Sequence, residues 1–410
     1  MPDARTMVIV GASMVGSSAV RALRQQEGFD GKIILIGAEK EPPYDRPPLS
    51  KEYLKGDQTR EKLALLPPNF YEENDIELVL GVRATSLDPQ AKKVQLDNGR
   101  SIDYDAILLG TGGKVRRVNV PGADLEGVYY LRTLEDSDAI KAELQPGKRC
   151  VVIGAGFIGA EVAATARMKG LEVAILEMAP VPMGRALSED LGNIYADIHR
   201  EHGIDLRLNE AIDRFEGDSR VRRVVGSNGS ILECDFVVVG VGIEPDISLV
   251  EATGIETGNG IVVDEYCETN APGVYAAGDV ANFFNAFLGE RTRLEHWNNA
   301  LYQGPAAAKN MIGGHEPFID VPWFWSDQYD INMQLIGHPR SWDKVVFRGS
   351  VDERKFTVFY LKDGGLQAAL AVNRGGDIRP CKEIIRAKAP VDPQQLEDES
   401  VNLRTLMPKA

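Results

Sequence analysis

The chain has 410 residues, 43% apolar and 26% charged, with a net charge of −15 and a pI near 5.0, which is the composition of an ordinary globular protein of two to four domains. That acidity argues against nucleic acid and anionic membranes as partners, and no apolar run approaches the ~18–20 residues of a bilayer crossing. The start, MPDARTMVIV, enters a strand with no signal-peptide pattern, and the four cysteines, Cys150, Cys234, Cys267 and Cys381, show neither CxxC nor zinc spacing; a cytoplasmic protein with reduced thiols and no metal is expected.

Residues 8–16, VIVGASMVG, give a strand apolar on both faces, then a glycine-bounded loop. Gly11 makes the tight turn and Gly16 lets the next helix, about 16–27, pack closely and aim its N-terminus at a phosphate. Ser13 stands where a middle glycine is usual, with an Oγ able to donate to phosphate. The second strand, KIILIGAE, ends in Glu39, a carboxylate suited to an adenosine ribose. Residues 98–112, NGRSIDYDAILLGTG, read as an Asn-Gly hairpin turn, a strand, an Asp, four apolar residues and Gly-x-Gly.

The whole pattern then recurs. VVIGAGFIG at 151–159 carries Gly154, Gly156 and Gly159 before a helix at 159–169; EVAILE ends in Glu177; and NGSILECDFVVVGVG at 228–242 aligns with 98–112 without a gap. The loops lie 143 residues apart and the hairpins 130 apart. One GxGxxG is a weak signal, but two copies with matching sequels predict two homologous dinucleotide-binding units, an α/β fold. In APGVYAAGDV, 271–280, a strand at 274–277 runs into Gly278-Asp279, a carboxylate placed to bond a polyol chain. The C-terminal region, 326–410, predicts hairpins (KFTVFYLKDGGLQAALAV) and a helix (CKEIIRAKA). It is the least acidic part, with 13 Lys/Arg against 12 Asp/Glu.

The stretch PPYDRPPLSKEYL, 42–54, has four prolines that stiffen a loop presenting Arg46 and Lys51. It resembles the corresponding loop of the NADH-dependent ferredoxin reductases of oxygenase systems, which serve ring-hydroxylating dioxygenases and bacterial cytochromes P450. TLEDSDAI (133–140), GAGFIGAEVAA (154–164), GVGIEPD (240–246), LEHWNNALYQGPAAAKNM (294–311) and PWFWSDQYD (322–330) match as well, so the resemblance covers essentially the whole chain. Ser13, and Gly110 where alanine is usual, are the chief departures.

The resemblance implies a glutathione-reductase-like fold of two Rossmann-like domains plus a C-terminal α+β domain. The FAD domain would be 1–112 and 246–325, the inserted NADH domain 113–245, and 326–410 part of the ferredoxin-docking surface. Gly11, Ser13, Gly16, Glu39, Arg46, Lys51, Thr111, Gly112, Asp279, Glu295, His296 and Trp297 would hold FAD. Asp279 would take the ribityl chain, and the helix after His296 would direct its dipole at flavin N1/O2. Gly154, Gly156, Phe157, Ile158, Gly159, Glu177, Arg185 and Gly242 would hold NADH. Lys51 and Glu161 would pair near flavin N5, and Trp325 would lie beside the flavin on the ferredoxin face; these three are the catalytic candidates. His296 would be positional, since neither half-reaction needs a general acid of its kind. The partner would be a [2Fe–2S] ferredoxin of plant, Rieske or adrenodoxin type, with monomer and dimer both open.

Three rivals remain in view. A thiol-dependent flavoprotein needs a redox cysteine in the first segment, and residues 1–149 contain none. An apoptosis-inducing-factor-like NADH sensor fits the His296 segment, though the acidity opposes DNA binding. A rubredoxin, nitrite or monodehydroascorbate reductase would share the fold.

Overall fold

In the computed structural model, which describes residues 3–339 and 341–408, the strand Thr6–Val10 lies between parallel partners Lys32–Gly37 and Ala106–Leu109. Ile76–Leu80 and Val274–Ala276 complete a five-stranded parallel sheet. Its central strands are buried on both faces, which is why they read as continuous apolar runs and not as alternation. The second sheet repeats the first around Arg149–Ile153, with Glu172–Glu177 and Asp205–Leu208 on one side and Phe236–Val239 and Val128–Tyr130 on the other. In each sheet a three-stranded meander precedes the strand beside the glycine-loop strand, Ala106–Leu109 in the first and Phe236–Val239 in the second, and each meander has its Asn-Gly turn, with Gly99 at φ +83° and Gly229 at +85°.

The correspondence extends to single hydrogen bonds. Gly11 N–H donates to Ile36 O and Gly110 N–H to Val10 O; Gly154 N–H donates to Leu176 O and Gly240 N–H to Ile153 O. A Cβ on Gly11 would stand 2.1 Å from Gly110 O, and one on Gly154 2.7 Å from Gly240 O, so glycine is required at both turns by the protein itself.

Boundaries differ from the sequence reading in detail. The first helix is Met14–Arg21, followed by a wider helical turn, Ala22–Gln26, and the second strand stops at Gly37, two residues short of Glu39. The later helices are Phe157–Met168 and Trp297–Met311.

The chain crosses between its two repeated units at Gly113–Val115 and returns at Ile243–Pro245. The two crossings pair as an antiparallel ribbon, braced by the Thr111 hydroxyl donating to Asp246 O at 2.8 Å. The expected boundaries 112/113 and 245/246 fall together at one end of it, where Gly113 pairs with Pro245. The C-terminal region is a five-stranded antiparallel sheet, with Trp323–Gln328 on one edge and Lys344–Ser350 on the other, backed by helix Ile378–Arg386. Its inner face shares one core with the second unit: Met183, Leu187, Leu191, Tyr195 and Ile198 pack against Met333, Leu335, Phe356, Val358 and Leu370.

Candidate functional site

Glu161 sits in the second turn of helix Phe157–Met168 and is 3% exposed. Two other parts of the chain converge on its carboxylate. From the proline-rich loop, Ser50 Oγ donates to Oε2 at 2.5 Å and Lys51 Nζ lies 3.5 Å from the same oxygen. From the C-terminal sheet, Ser326 Oγ donates to Oε1 at 2.7 Å. The loop can deliver Ser50 and Lys51 because Pro47–Ser50 forms a tight helical turn anchored by Leu49 and Tyr53 in a small apolar cluster. One turn along the same helix, Thr165 Oγ1 donates to Ser50 O at 2.8 Å. Lys51 and Glu161 are both buried, so each charge depends on the other and on these hydroxyls to offset the lost hydration.

Lys51 Nζ is 5.5 Å from the Trp325 ring centroid. Trp325 stacks on Trp323 at 5.2 Å and meets Trp297 edge-to-face at 5.6 Å. Trp297 is held by its indole N–H, which donates to Asp45 at 2.6 Å; burial raises the Asp45 carboxyl above its ordinary range.

Around the first glycine loop, the donors and acceptors expected for FAD are mostly engaged with one another. Arg46 bonds Glu39 at 2.5 Å, the Arg132 carbonyl at 2.6 Å and the Tyr44 hydroxyl at 3.0 Å, and Tyr44 in turn bonds Glu39. Asp279 pairs with Arg132 at 3.1 Å, while its carbonyl accepts from Arg293. Glu295 is exposed and paired with Arg293 at 2.7 Å. Ser13 precedes the first helix, and its side chain makes no capping bond. A Cβ on Gly16 would stand 2.3 Å from Gly11 O, so Gly16 serves close packing. Gly112 has φ +67°, and a Cβ there would meet the Arg132 guanidinium at 3.0 Å.

His296 caps the helix Trp297–Met311. Burial pushes its ring down to about 4, so the imidazole is neutral at pH 7. Its Nδ1 is buried without a partner among the described residues, and the ring packs on Phe324 at 4.8 Å. An orphaned nitrogen at the N-terminus of a fifteen-residue helix is what a bound electron-rich ring edge would satisfy, and the site fits FAD on that ground.

The NADH candidates gather at the second loop. Glu177 Oε2 accepts from Ala155 N–H at 2.6 Å and Oε1 from Ala179 N–H at 2.8 Å. Gly242 has φ +100°, and a Cβ there would lie 3.9 Å from the Arg185 guanidinium, which brings Arg185 to this crevice. Phe157 packs edge-on against Phe324 at 4.8 Å, and Ile158 is 45% exposed. A Cβ on Gly159 would clash with Gly154 O at 2.0 Å, but one on Gly156 would meet nothing closer than Gly240 O at 3.9 Å. Nothing among the described residues requires glycine at 156, which fits a pyrophosphate approaching from outside.

The four cysteines are buried, and burial raises their thiols, Cys234 and Cys267 to about 12. Among the described residues no cluster could hold a metal, and no helix is long and apolar enough to cross a membrane.

Sequence reasoning missed Ser50, Ser326, Asp45 and Arg132. Arg132 carried one usable signal: it precedes the capping box Thr133–Asp136, which fixes the helix start that aims it. The serines carried none, since an isolated serine looks like any surface residue until the fold brings a carboxylate to it.

Comparison with known proteins gives a consistent result. Residues 5–304 match the pyridine nucleotide-disulphide oxidoreductase family and residues 323–407 the reductase C-terminal family. The chain is 38% identical to rhodocoxin reductase of Rhodococcus erythropolis, over 97% of this chain and 93% of that one. It is also 38% identical to the ferredoxin–NAD(+) reductase component of the anthranilate 1,2-dioxygenase system of Burkholderia cepacia, over 99% and 100%. The reductase in the covalent putidaredoxin reductase–putidaredoxin complex superposes with a TM-score of 0.95 at 36% identity, over 98% of both chains.

Proposed function

The chain belongs to the pyridine nucleotide-disulphide oxidoreductase family, among its ferredoxin reductases, and from that premise we propose that it passes electrons from NADH through FAD to a [2Fe–2S] ferredoxin that feeds an oxygenase. The observation that carries this reading is the meeting of the Lys51–Glu161 pair with the Trp325 cluster. Lys51 Nζ lies 5.5 Å from the Trp325 ring centroid, so a nicotinamide-side charge pair and a ferredoxin-side aromatic would serve one flavin, and no cysteine is among these side chains. Thiol-dependent chemistry would need a reactive cysteine there, and all four are buried.

Bound FAD supplies the redox chemistry, taking two electrons from NADH at once and giving them up singly. The chain's own residues bind and orient. The first unit, 1–112 with 246–325, would hold FAD, and the inserted unit, 113–245, NADH. The helix after His296, with the neutral imidazole at its cap, would set a positive dipole against the pyrimidine edge of the flavin. Asp279 and Arg132 would take the ribityl chain, and Ser13 Oγ would donate to the pyrophosphate. Glu161 would hold Lys51 against the ring, and the aromatic cluster would exclude water from the ferredoxin side. Glu177 would accept from the adenosine 2′-hydroxyl of NADH. The protein would work in the cytoplasm, where NADH and reduced ferredoxins are found together.

The test is cytochrome c reduction by NADH with and without added plant-, Rieske- and adrenodoxin-type [2Fe–2S] ferredoxins. Large stimulation by one class is expected. Equal rates with and without all three would overturn the reductase reading and favour an NADH-sensing flavoprotein.

A further inference from the structure

Side chains alternate along the C-terminal edge strand Trp323–Gln328. Trp323 and Trp325 share one face, where they stack and where Trp325 meets Trp297. Phe324, Ser326 and Gln328 share the other, and every one of them touches the second unit. Phe324 packs on Phe157, Ser326 donates to Glu161 at 2.7 Å, and Gln328 reaches Met183 Sδ at 3.6 Å. Ser326 and Gln328 are each 1% exposed.

The hydroxyl of Ser326 is oriented from behind. Gln328 Nε2 donates to Ser326 Oγ at 3.2 Å, which occupies the oxygen as acceptor and leaves its single proton for Glu161. Gln328 is itself wedged beside His199, whose Nδ1 meets the Tyr329 hydroxyl at 3.0 Å. On the other carboxylate oxygen, Ser50 at 2.5 Å is the closer donor and Lys51 at 3.5 Å the more distant one. Among the described residues, Ser326 is the one side chain that a hydrogen bond places on Oε1. Without it, Oε1 would be a buried carboxylate oxygen lacking a donor, and the carboxylate would turn to share Ser50 or Lys51.

We propose that Ser326 is a positioning residue for the hydride-accepting site: it locks the rotation of the Glu161 carboxylate and thereby aims the Lys51 ammonium at the flavin. The edge strand would then serve both half-reactions, with its tryptophan face toward the ferredoxin and its Ser326 face toward NADH. This rests on the reading of Lys51 and Glu161 as the pair beside the flavin.

The experiment compares the FAD-loaded wild type with Ser326→Ala, Ser326→Thr, Glu161→Gln and the Ser326→Ala/Glu161→Gln double variant. Flavin reduction by NADH is followed by stopped flow, and the midpoint potential of the bound flavin by spectroelectrochemistry. Ser326→Ala should slow the limiting reduction rate about tenfold, the order expected for a lost hydrogen bond to a charged group. It should shift the potential while leaving the NADH dissociation constant and the ferredoxin KM unchanged. Ser326→Thr should restore both, and Ser326→Ala should add nothing to Glu161→Gln. Wild-type rate and potential in Ser326→Ala, with Glu161→Gln slowed, would overturn the inference. A Glu161→Gln variant that behaves as wild type would overturn the reading of the pair itself. If Ser326→Ala does not yield folded holoenzyme, Ser326→Cys, of similar volume but a weak donor, stands in with the same expectations.

Discussion

At the residue scale the two glycine loops separate requirements of folding from requirements of binding. Gly154 and Gly159 are fixed by backbone contacts, whereas Gly156 has extended backbone at φ −71° and open space around it. Gly156→Ala should therefore melt at the wild-type temperature yet bind NADH about tenfold more weakly, while Gly159→Ala should lose stability; calorimetry and an NADH titration check both, and a lowered melting temperature in Gly156→Ala would refute the distinction. Glu177 bridges two backbone N–H groups at the mouth of its loop, and no cation follows at 178–180. NADH should be preferred over NADPH by at least about tenfold in kcat/KM, ~1.4 kcal/mol, and Glu177→Ala should lose part of that preference. An unchanged ratio would remove Glu177 from the ribose site.

His199 adds a pH dependence. Burial pushes its ring down to about 4, against about 6.5 in the unfolded chain. The folded state therefore binds fewer protons between those values, so stability is complete above pH 6.5 and falls as pH drops toward 4, by on the order of 3 kcal/mol for this residue. Urea unfolding from pH 7 to 4.5 should show a shallower decline in His199→Asn than in wild type; parallel declines would contradict it.

At the element scale, the helix Glu189–Glu201 shows what the sequence could and could not reveal. Its apolar residues announce a buried stripe, but nothing in 189–201 says what covers it. The structure gives Ala196 to the second unit's own core and Leu191, Tyr195 and Ile198 to the C-terminal sheet. The repeats were legible because each strand-turn-helix is a local device: glycine spacing, an Asn-Gly turn, a β-branched run. The Ser326–Glu161 bond joins residues 165 apart in sequence and leaves no local trace. The core shared between helix and sheet predicts that the second unit and the C-terminal region melt together. Leu191→Ala, at a site 1% exposed, should cost ~2–5 kcal/mol and lower one common transition in calorimetry. Two resolved transitions in the wild type would contradict the shared core.

At the scale of the whole molecule, the charge count of the C-terminal region overstates its surface basicity. Arg348 is 4% exposed and spends its guanidinium on the carbonyls of Leu396, Asp398, Glu399 and Val401, and Lys382 and Arg386 both face Asp320. Lys382 still lies beside the half-exposed Tyr302 of the helix that begins at Trp297. If an acidic ferredoxin docks there, raising salt to physiological strength, where the screening length is ~8–10 Å, should slow ferredoxin reduction more than ferricyanide reduction; equal responses would exclude electrostatic docking. The paired crossings at Gly113–Val115 and Ile243–Pro245 bear on how such a protein is remodelled. The inserted unit hangs from a single doorway, entrance beside exit, so it can be swapped for a relative's without rethreading anything else. Its orientation is nevertheless fixed at the far end as well, where Glu161 and Thr165 meet the proline-rich loop and where Phe157, Glu161 and Met183 meet the strand Trp323–Gln328. A transplanted unit would arrive through the doorway correctly connected and still be mis-aimed, unless the loop and the strand that grip its helix matched it.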